Sequence, residues 1–150
     1  MNKSIKLNYY DTNQQPTPEI KQNIIDFLFV HLDQYGDKKE DIEKCLNYSM
    51  TLGNGKGGFI VTAVLENEIV GATIINDTGM KGYIPENILV YIAVNGEKRG
   101  MGIGKKLMNA AIEKAEGAIA LHVEPDNPAR YLYEKIGFTS KYLEMRYYPS

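Results

Sequence analysis

A glycine-rich stretch in the last third of the chain has the residue types of an anion-binding site. The stretch reads Arg99-Gly100-Met101-Gly102-Ile103-Gly104-Lys105. The apolar, β-branched run Ile88–Val94 before it predicts a strand buried on both faces, and Leu107, Met108 and Ala111 after it recur at helical spacing. A helix start offers backbone N–H groups without intrahelical partners, and glycine lets an anion come close to them. The spacing therefore predicts a phosphate site at this strand–helix turn.

Two common phosphate-binding motifs fit this stretch poorly. A Walker loop needs a glycine at the position of Arg99 and a serine or threonine at the position of Lys106. The dinucleotide fingerprint begins well at Gly100 and Gly102, and Glu124 lies near the distance for a ribose contact. Its third glycine, however, falls on Lys105. A dinucleotide-binding domain is therefore kept only as a lesser alternative.

A third pattern, Arg/Gln-x-x-Gly-x-Gly/Ala, fits Arg99, Gly102 and Gly104 in full. A second motif follows after one predicted helix and one predicted strand. It begins at Asn127 and ends Leu132-Tyr133-Glu134-Lys135-Ile136-Gly137-Phe138. The two motifs in this order resemble those of the GNAT superfamily, the acyl-CoA N-acyltransferases. The resemblance covers most of residues 59–138 and is thin over 10–58 and 76–86. Ala129 follows Asn127 after one residue, whereas the family motif has two residues there.

Periodicity along the chain predicts a mixed α/β sheet with helices covering its faces. The order is β-α-α-β-β-β-α-β-α-β(β). It includes a first strand within 4–10, helices starting at Pro18 and near Lys38, and a hairpin at 59–75. The segment 138–148 is expected to form one or two closing strands. The resemblance implies the GNAT fold, with six to seven strands and about four helices, as a single N-acetyltransferase domain over 1–150.

The resemblance also implies an activity and a set of site residues. It implies direct transfer of an acetyl group from acetyl-CoA to a primary amine in a ternary complex. Tyr133 lies at the position of the general acid that protonates the leaving thiolate. A tyrosine on an amphipathic helix is also an ordinary core residue, and Asn127 is also a common helix cap. The implied cofactor-binding residues are Ile92, Ala93, Val94, Arg99, Gly100, Met101, Gly102, Ile103, Gly104, Lys105 and Asn127.

No residue is assigned as the general base. The carboxylates expected near the cleft are Asp33, Asp37, Glu86 and Glu124, which would suit a cationic acceptor amine. The missing base keeps a second hypothesis open, in which the chain is a CoA-binding sensor or interaction module without catalysis.

Composition limits the other function classes. Seventeen basic and nineteen acidic side chains give a net charge of −2, which offers no general attraction for nucleic acid or anionic lipid. One cysteine and two histidines argue against a zinc site or an internal disulfide. With no apolar run of membrane length, we expect a cytoplasmic monomer or homodimer that binds neither nucleic acid nor membrane and needs no metal.

Overall fold

The computed structural model describes residues 4–149, and its elements follow the predicted order up to the second motif. The strands are β1 (Lys6–Tyr10), β2 (Gly58–Leu65), β3 (Glu68–Asp77), β4 (Asn87–Val94) and β5 (Ile119–Leu121). The α-helices are α1 (Pro18–Leu32), α2 (Lys39–Ser49), α3 (Ile103–Lys114) and α4 (Ala129–Ile136). Short 3₁₀ turns cover Asp33–Tyr35 and Gly96–Lys98.

The five strands form one mixed sheet in the order β1-β2-β3-β4-β5. Strands β1 to β4 are antiparallel neighbours, whereas β5 lies parallel to β4. The β2–β3 hairpin turns at Glu66 and Asn67, with φ of 52° and 66°. Positive φ at both central residues is typical of the tight turn whose twist matches the strands. The predicted hairpin is therefore confirmed.

Helices cover both faces of the sheet, as the periodicity predicts. Thr17 caps α1 by accepting a hydrogen bond from the Ile20 N–H (3.2 Å), and Pro18 takes the first helical position. Helices α1 and α2 bury Leu28 and Leu46 on one face. Helix α3 buries, among others, Leu107 on the other face, where α4 also packs. The strands are thus fixed between two apolar layers.

The closing strands expected within 138–148 do not form in the described chain. Residues 138–149 hold no regular element, and every side chain from Thr139 to Pro149 is exposed. The described sheet consequently has five strands and not six or seven. Alternating apolar residues make a strand only when a neighbouring strand and a packing surface are available, and this segment has neither.

None of the described helices is long and apolar enough to cross a membrane.

Candidate functional site

Strands β4 and β5 lie together at their beginnings and then separate. Their pairing comprises only Asn87–Ile119, Ile88–Ala120 and Leu89–Leu121. Beyond Leu89, no strand of residues 4–149 pairs with this side of β4, which continues to Val94. We call this side of residues 90–94 the open edge. It leaves a run of backbone polar groups available to a ligand.

A β-bulge at Val90 accompanies the separation. Ile74 of β3 lies opposite Tyr91 and Ile75 lies opposite Leu89, so Val90 is an extra residue in β4. A bulge bends a strand and increases its twist, and the pairing of β4 with β5 ends at this point. The predicted burial on both faces is therefore wrong in part. Leu89, Tyr91 and Ala93 are buried, but the Val90 side chain is 36% exposed.

Two hydrogen bonds show which backbone groups of β4 face the open edge. The Asn95 N–H donates to the Val70 carbonyl (2.9 Å), and the Thr73 hydroxyl donates to the Tyr91 carbonyl (2.8 Å). Residues of an antiparallel strand alternate in direction, so the odd-numbered residues from 91 to 95 turn their backbone groups to β3. The backbone N–H and C=O groups of the even-numbered residues Ile92 and Val94 therefore point to the open edge. Of the three strand residues implied by the motif, these two present free groups.

The glycine-rich loop joins the end of β4 to the start of α3 in a conformation that requires glycine. Gly100 has φ 86° and Gly102 has φ 71° and ψ 23°. A Cβ at either position would contact nothing within 4 Å, so the constraint lies in the backbone angle and not in the space. Gly102 caps α3, and its carbonyl accepts from the Lys106 N–H (3.0 Å).

The first turn of α3 is where an anion would bind. The backbone N–H groups of Ile103, Gly104 and Lys105 have no acceptor inside the helix, and the helix dipole places partial positive charge there. The side chains of Arg99, Met101 and Lys105 are exposed around this turn. The arrangement can hold a phosphate or pyrophosphate next to the end of the open edge.

A small residue at position 104 matters for a different reason, because the second motif packs against it. A Cβ there would lie 3.1 Å from Leu132 Cδ2 and 3.7 Å from Val94 Cγ2. Helix α4 therefore lies against the start of α3 and the end of β4. The fold brings together the two motifs that the sequence separates.

Tyr133 of α4 is buried close to this junction. Its side chain is 7% exposed and belongs to the core formed by Leu89, Leu107 and their neighbours, with its ring 6.2 Å from that of Phe138. Burial raises the pKa of Tyr133 to about 12. The hydroxyl is therefore protonated at neutral pH, and it makes no hydrogen bond within residues 4–149.

Asn127 acts as a local cap at the start of the second motif. Its Oδ1 accepts a hydrogen bond from the Ala129 N–H (2.9 Å). This is the capping role left open by the sequence, and it still leaves the amide NH₂ group as a donor.

The carboxylates expected near the cleft have different surroundings. Glu86 accepts hydrogen bonds from the backbone N–H groups of Ala118 (2.8 Å) and Gly82 (3.0 Å), which hold its pKa below the usual range. Glu86 thus ties the loop before β4 to the start of β5. Asp33 and Glu124 are exposed. No group of His, Cys, Asp and Glu side chains in the described chain could hold a metal ion.

One contact of this region was not predicted from the sequence. The Tyr91 hydroxyl, which comes from β4, donates a hydrogen bond to Asp37 Oδ2 (2.5 Å). The two residues are 54 positions apart, and the sequence pattern identifies Tyr91 only as part of a core strand. No local pattern could have revealed the pair.

Comparison with known proteins identifies this arrangement. A family model described as "Acetyltransferase (GNAT) family" matches residues 20–138. The chain belongs to the GNAT acetyltransferase family. The resemblance inferred from the two motifs is thereby confirmed, as are the mixed α/β fold class and the assignment to the acyltransferases.

Two relatives show how varied the acceptors of GNAT proteins are. The [ribosomal protein bS18]-alanine N-acetyltransferase of Haemophilus influenzae is 34% identical over 105 residues, which cover 66% of this chain and 68% of that protein. The 5-NmdU N-acetyltransferase of Pseudomonas phage PaMx11 is 36% identical over 84 residues, covering 55% of this chain and 58% of that protein. Both names describe N-acetylation, but of different acceptors.

A solved structure with a bound cofactor has the same fold. The aminoglycoside N-acetyltransferase AAC(6')-Iy in complex with CoA matches with a TM-score of 0.70 and 12% identity, covering 99% of this chain and 98% of that one. At this identity the likeness concerns the fold alone.

Proposed function

We propose that this GNAT protein transfers an acetyl group from acetyl-CoA directly to a primary amine, with Tyr133 as the general acid. The observation that carries the proposal is that the open edge of β4 and the anion-binding turn of α3 adjoin each other. The open edge of β4 ends at the glycine-rich start of α3, so one extended ligand can contact both. CoA has a suitable shape, because a pyrophosphate joins its nucleotide to an amide-containing pantetheine arm.

The donor would bind mainly through the protein backbone. The pyrophosphate would accept hydrogen bonds from the N–H groups of Gly104 and its neighbours, with Arg99 and Lys105 adding positive charge. The pantetheine amides would pair with Ile92 and Val94 as a strand pairs with a sheet edge. Met101 and Asn127 would complete the contacts. Acetyl-CoA is the cosubstrate in this scheme, and no metal is needed.

The chemistry requires three events at the thioester. Water first takes a proton from the ammonium form of the acceptor. The neutral amine then attacks the carbonyl carbon, and a C–N bond forms while negative charge develops on the oxygen. A backbone N–H at the open edge, such as that of Ile92, would stabilise this charge. The C–S bond then breaks, the thiolate takes the Tyr133 proton, and the amine nitrogen loses its extra proton to water. The tyrosinate regains a proton from solvent. The Tyr133 hydroxyl carries its proton at neutral pH, since the ordinary tyrosine pKa already lies well above 7 and burial raises it further.

A CoA-binding module without turnover is the second candidate. It is favoured by the geometry of Glu86, whose carboxylate is already bound to two backbone N–H groups and is poorly placed to act as a base. Water can deprotonate the amine instead, so we favour the enzyme. A cytoplasmic location, a monomeric or homodimeric state, a single domain and the lack of nucleic-acid or membrane partners stay predictions.

The test is an assay of free thiol with acetyl-CoA and a panel of amines. Tyr133→Phe is expected to lower kcat by about 10²-fold or more, since general acids typically contribute this much, while the Kd of CoA is unchanged. Tyr131→Phe is the matched control, because Tyr131 lies on the same helix but is 73% exposed.

The possible results separate the two candidates. Full turnover by Tyr133→Phe would remove this residue from the mechanism. CoA binding by calorimetry without thiol release on any amine would favour the binding module, and absence of CoA binding would contradict both.

A further inference from the structure

The connection between α1 and α2, residues 33–38, contacts both sides of the gap between β4 and β5. The Tyr35 hydroxyl donates to the Asp126 carbonyl (3.3 Å) in the turn between β5 and α4. On the other side, Asp37 accepts from the Tyr91 hydroxyl of β4. The connection therefore borders the gap on the α1–α2 face of the sheet, opposite to α3.

Asp37 is held in a defined orientation at this border. Tyr91 is 7% exposed and packs in the core between the sheet and helices α1 and α2, whereas Asp37 is exposed. Burial, together with the Asp37 carboxylate, raises the pKa of Tyr91 above its ordinary value. The hydroxyl thus stays a donor over the physiological range and fixes Oδ2 of Asp37.

The second carboxylate oxygen of Asp37 is available to a ligand. Within residues 4–149, Asp37 Oδ1 has no hydrogen bond and the carboxylate has no ion pair. The nearby Lys39 pairs with Asp26 instead (3.0 Å). The Asp37 carboxylate, with Oδ2 fixed and Oδ1 free of partners among residues 4–149, thus lies beside Tyr91, the residue that follows the Val90 bulge. This is where the open edge begins.

We propose that Asp37 binds the cationic amine of the acceptor through Oδ1, and that Tyr91 is the residue that positions it. The inference rests on the proposed function and names a substrate class for it. The acceptor is an amine that carries positive charge at neutral pH, approaching from the α1–α2 face. The acceptor then reaches the bulge from the α1–α2 face, while the donor lies along the open edge and extends to α3 on the other face.

The test compares the KM for two kinds of amine in the thiol-release assay. Spermidine serves as the cationic probe, and an arylamine that is neutral at pH 7 serves as the uncharged probe. Asp37→Asn is expected to raise the KM for spermidine by at least about tenfold, because a charge-assisted hydrogen bond is lost. The KM for the arylamine and the Kd of CoA should change little. Asp41→Asn is the control, since it removes the same charge from the adjacent helix.

A double-mutant cycle separates positioning from general structural damage. Tyr91→Phe is expected to raise the KM for spermidine, but by less than Asp37→Asn does. In the Asp37→Asn background it should have no further effect, because Tyr91 acts through Asp37. Equal effects of Tyr91→Phe in both backgrounds would contradict the positioning role.

The failures of the two proposals are distinguishable. If wild-type protein acetylates spermidine and Asp37→Asn leaves its KM unchanged, the inference is wrong and the proposed function stands. If wild-type protein releases no thiol with any amine, the proposed function fails, and the inference fails with it.

Discussion

At the scale of single residues, the glycines of the loop provide a test of the donor site. Gly100 and Gly82 have nearly the same φ, 86° and 85°, and a Cβ at either would contact nothing within 4 Å. Replacing either with alanine should cost about 1–2 kcal/mol of stability, because the left-handed conformation disfavours a Cβ. Only Gly100→Ala is expected also to weaken CoA binding.

The measurement is calorimetric Kd and urea unfolding for both variants. Equal CoA affinities for Gly100→Ala and Gly82→Ala would argue against an anion site at the loop.

Residues of the loop could be predicted because their chemistry depends on local spacing. Gly102 and Gly104 follow Arg99 at fixed distances. The left-handed backbone at Gly102 favours glycine, whereas Gly104 lies close to the Leu132 side chain. The pairing of Asp37 with Tyr91 could not be predicted, since it exists only after β4 packs beneath the α1–α2 connection. Long-range partners of this kind leave no periodic signal in a single sequence.

At the scale of elements, the direction of the backbone groups in β4 can be tested with proline. Val94→Pro removes an N–H that faces the open edge, so the ladder with β3 should persist while the Kd of CoA rises. Ala93→Pro removes an N–H that faces β3, and it is expected to lower Tm substantially.

Calorimetry and thermal unfolding of the two variants check this expectation. The reverse pattern, with Val94→Pro unfolded and Ala93→Pro stable, would mean that the alternation deduced for residues 91–95 is wrong.

Elements with a strong apolar pattern and a packing partner were predicted well. The hairpin of β2 and β3, the strand β4 and the helix α3 agree with the expectation to within a few residues. The segment 138–148 has alternating apolar residues but no neighbouring strand in the described chain, and its strands were wrongly expected. Alternation of apolar residues shows only that a segment could be a strand, whereas a strand forms only when a second strand pairs with it.

At the scale of the whole molecule, buried groups with raised pKa values predict a loss of stability in alkali. Burial raises the pKa of both Tyr133 and Cys45 to about 12. Below the ordinary pKa of each group, the folded and unfolded states carry the same protons. As pH rises above it, the unfolded state ionises first, so stability falls until the folded pKa is reached.

The difference between wild type and Tyr133→Phe isolates one of these groups. From pH 8 to pH 11, the free energy of unfolding should fall in both proteins. The fall should be about 1.4 kcal/mol smaller in Tyr133→Phe than in the wild type. Urea unfolding at several pH values measures this difference. Parallel curves for the two proteins would show that the Tyr133 hydroxyl ionises in the folded state as readily as in water.

The Val90 bulge has a consequence for how such a site can be gained or lost. The bulge consists of one extra residue in β4, and it does not depend on which side chain that residue carries. Without Val90, Leu89 and Tyr91 would be neighbours in a regular strand. Point substitutions at position 90 alter the surface of the gap but leave the number of residues in β4 unchanged. A deletion of one codon would remove the bulge and restore a regular register with β3. The bulge therefore depends on the number of residues in β4 and not on the identity of residue 90.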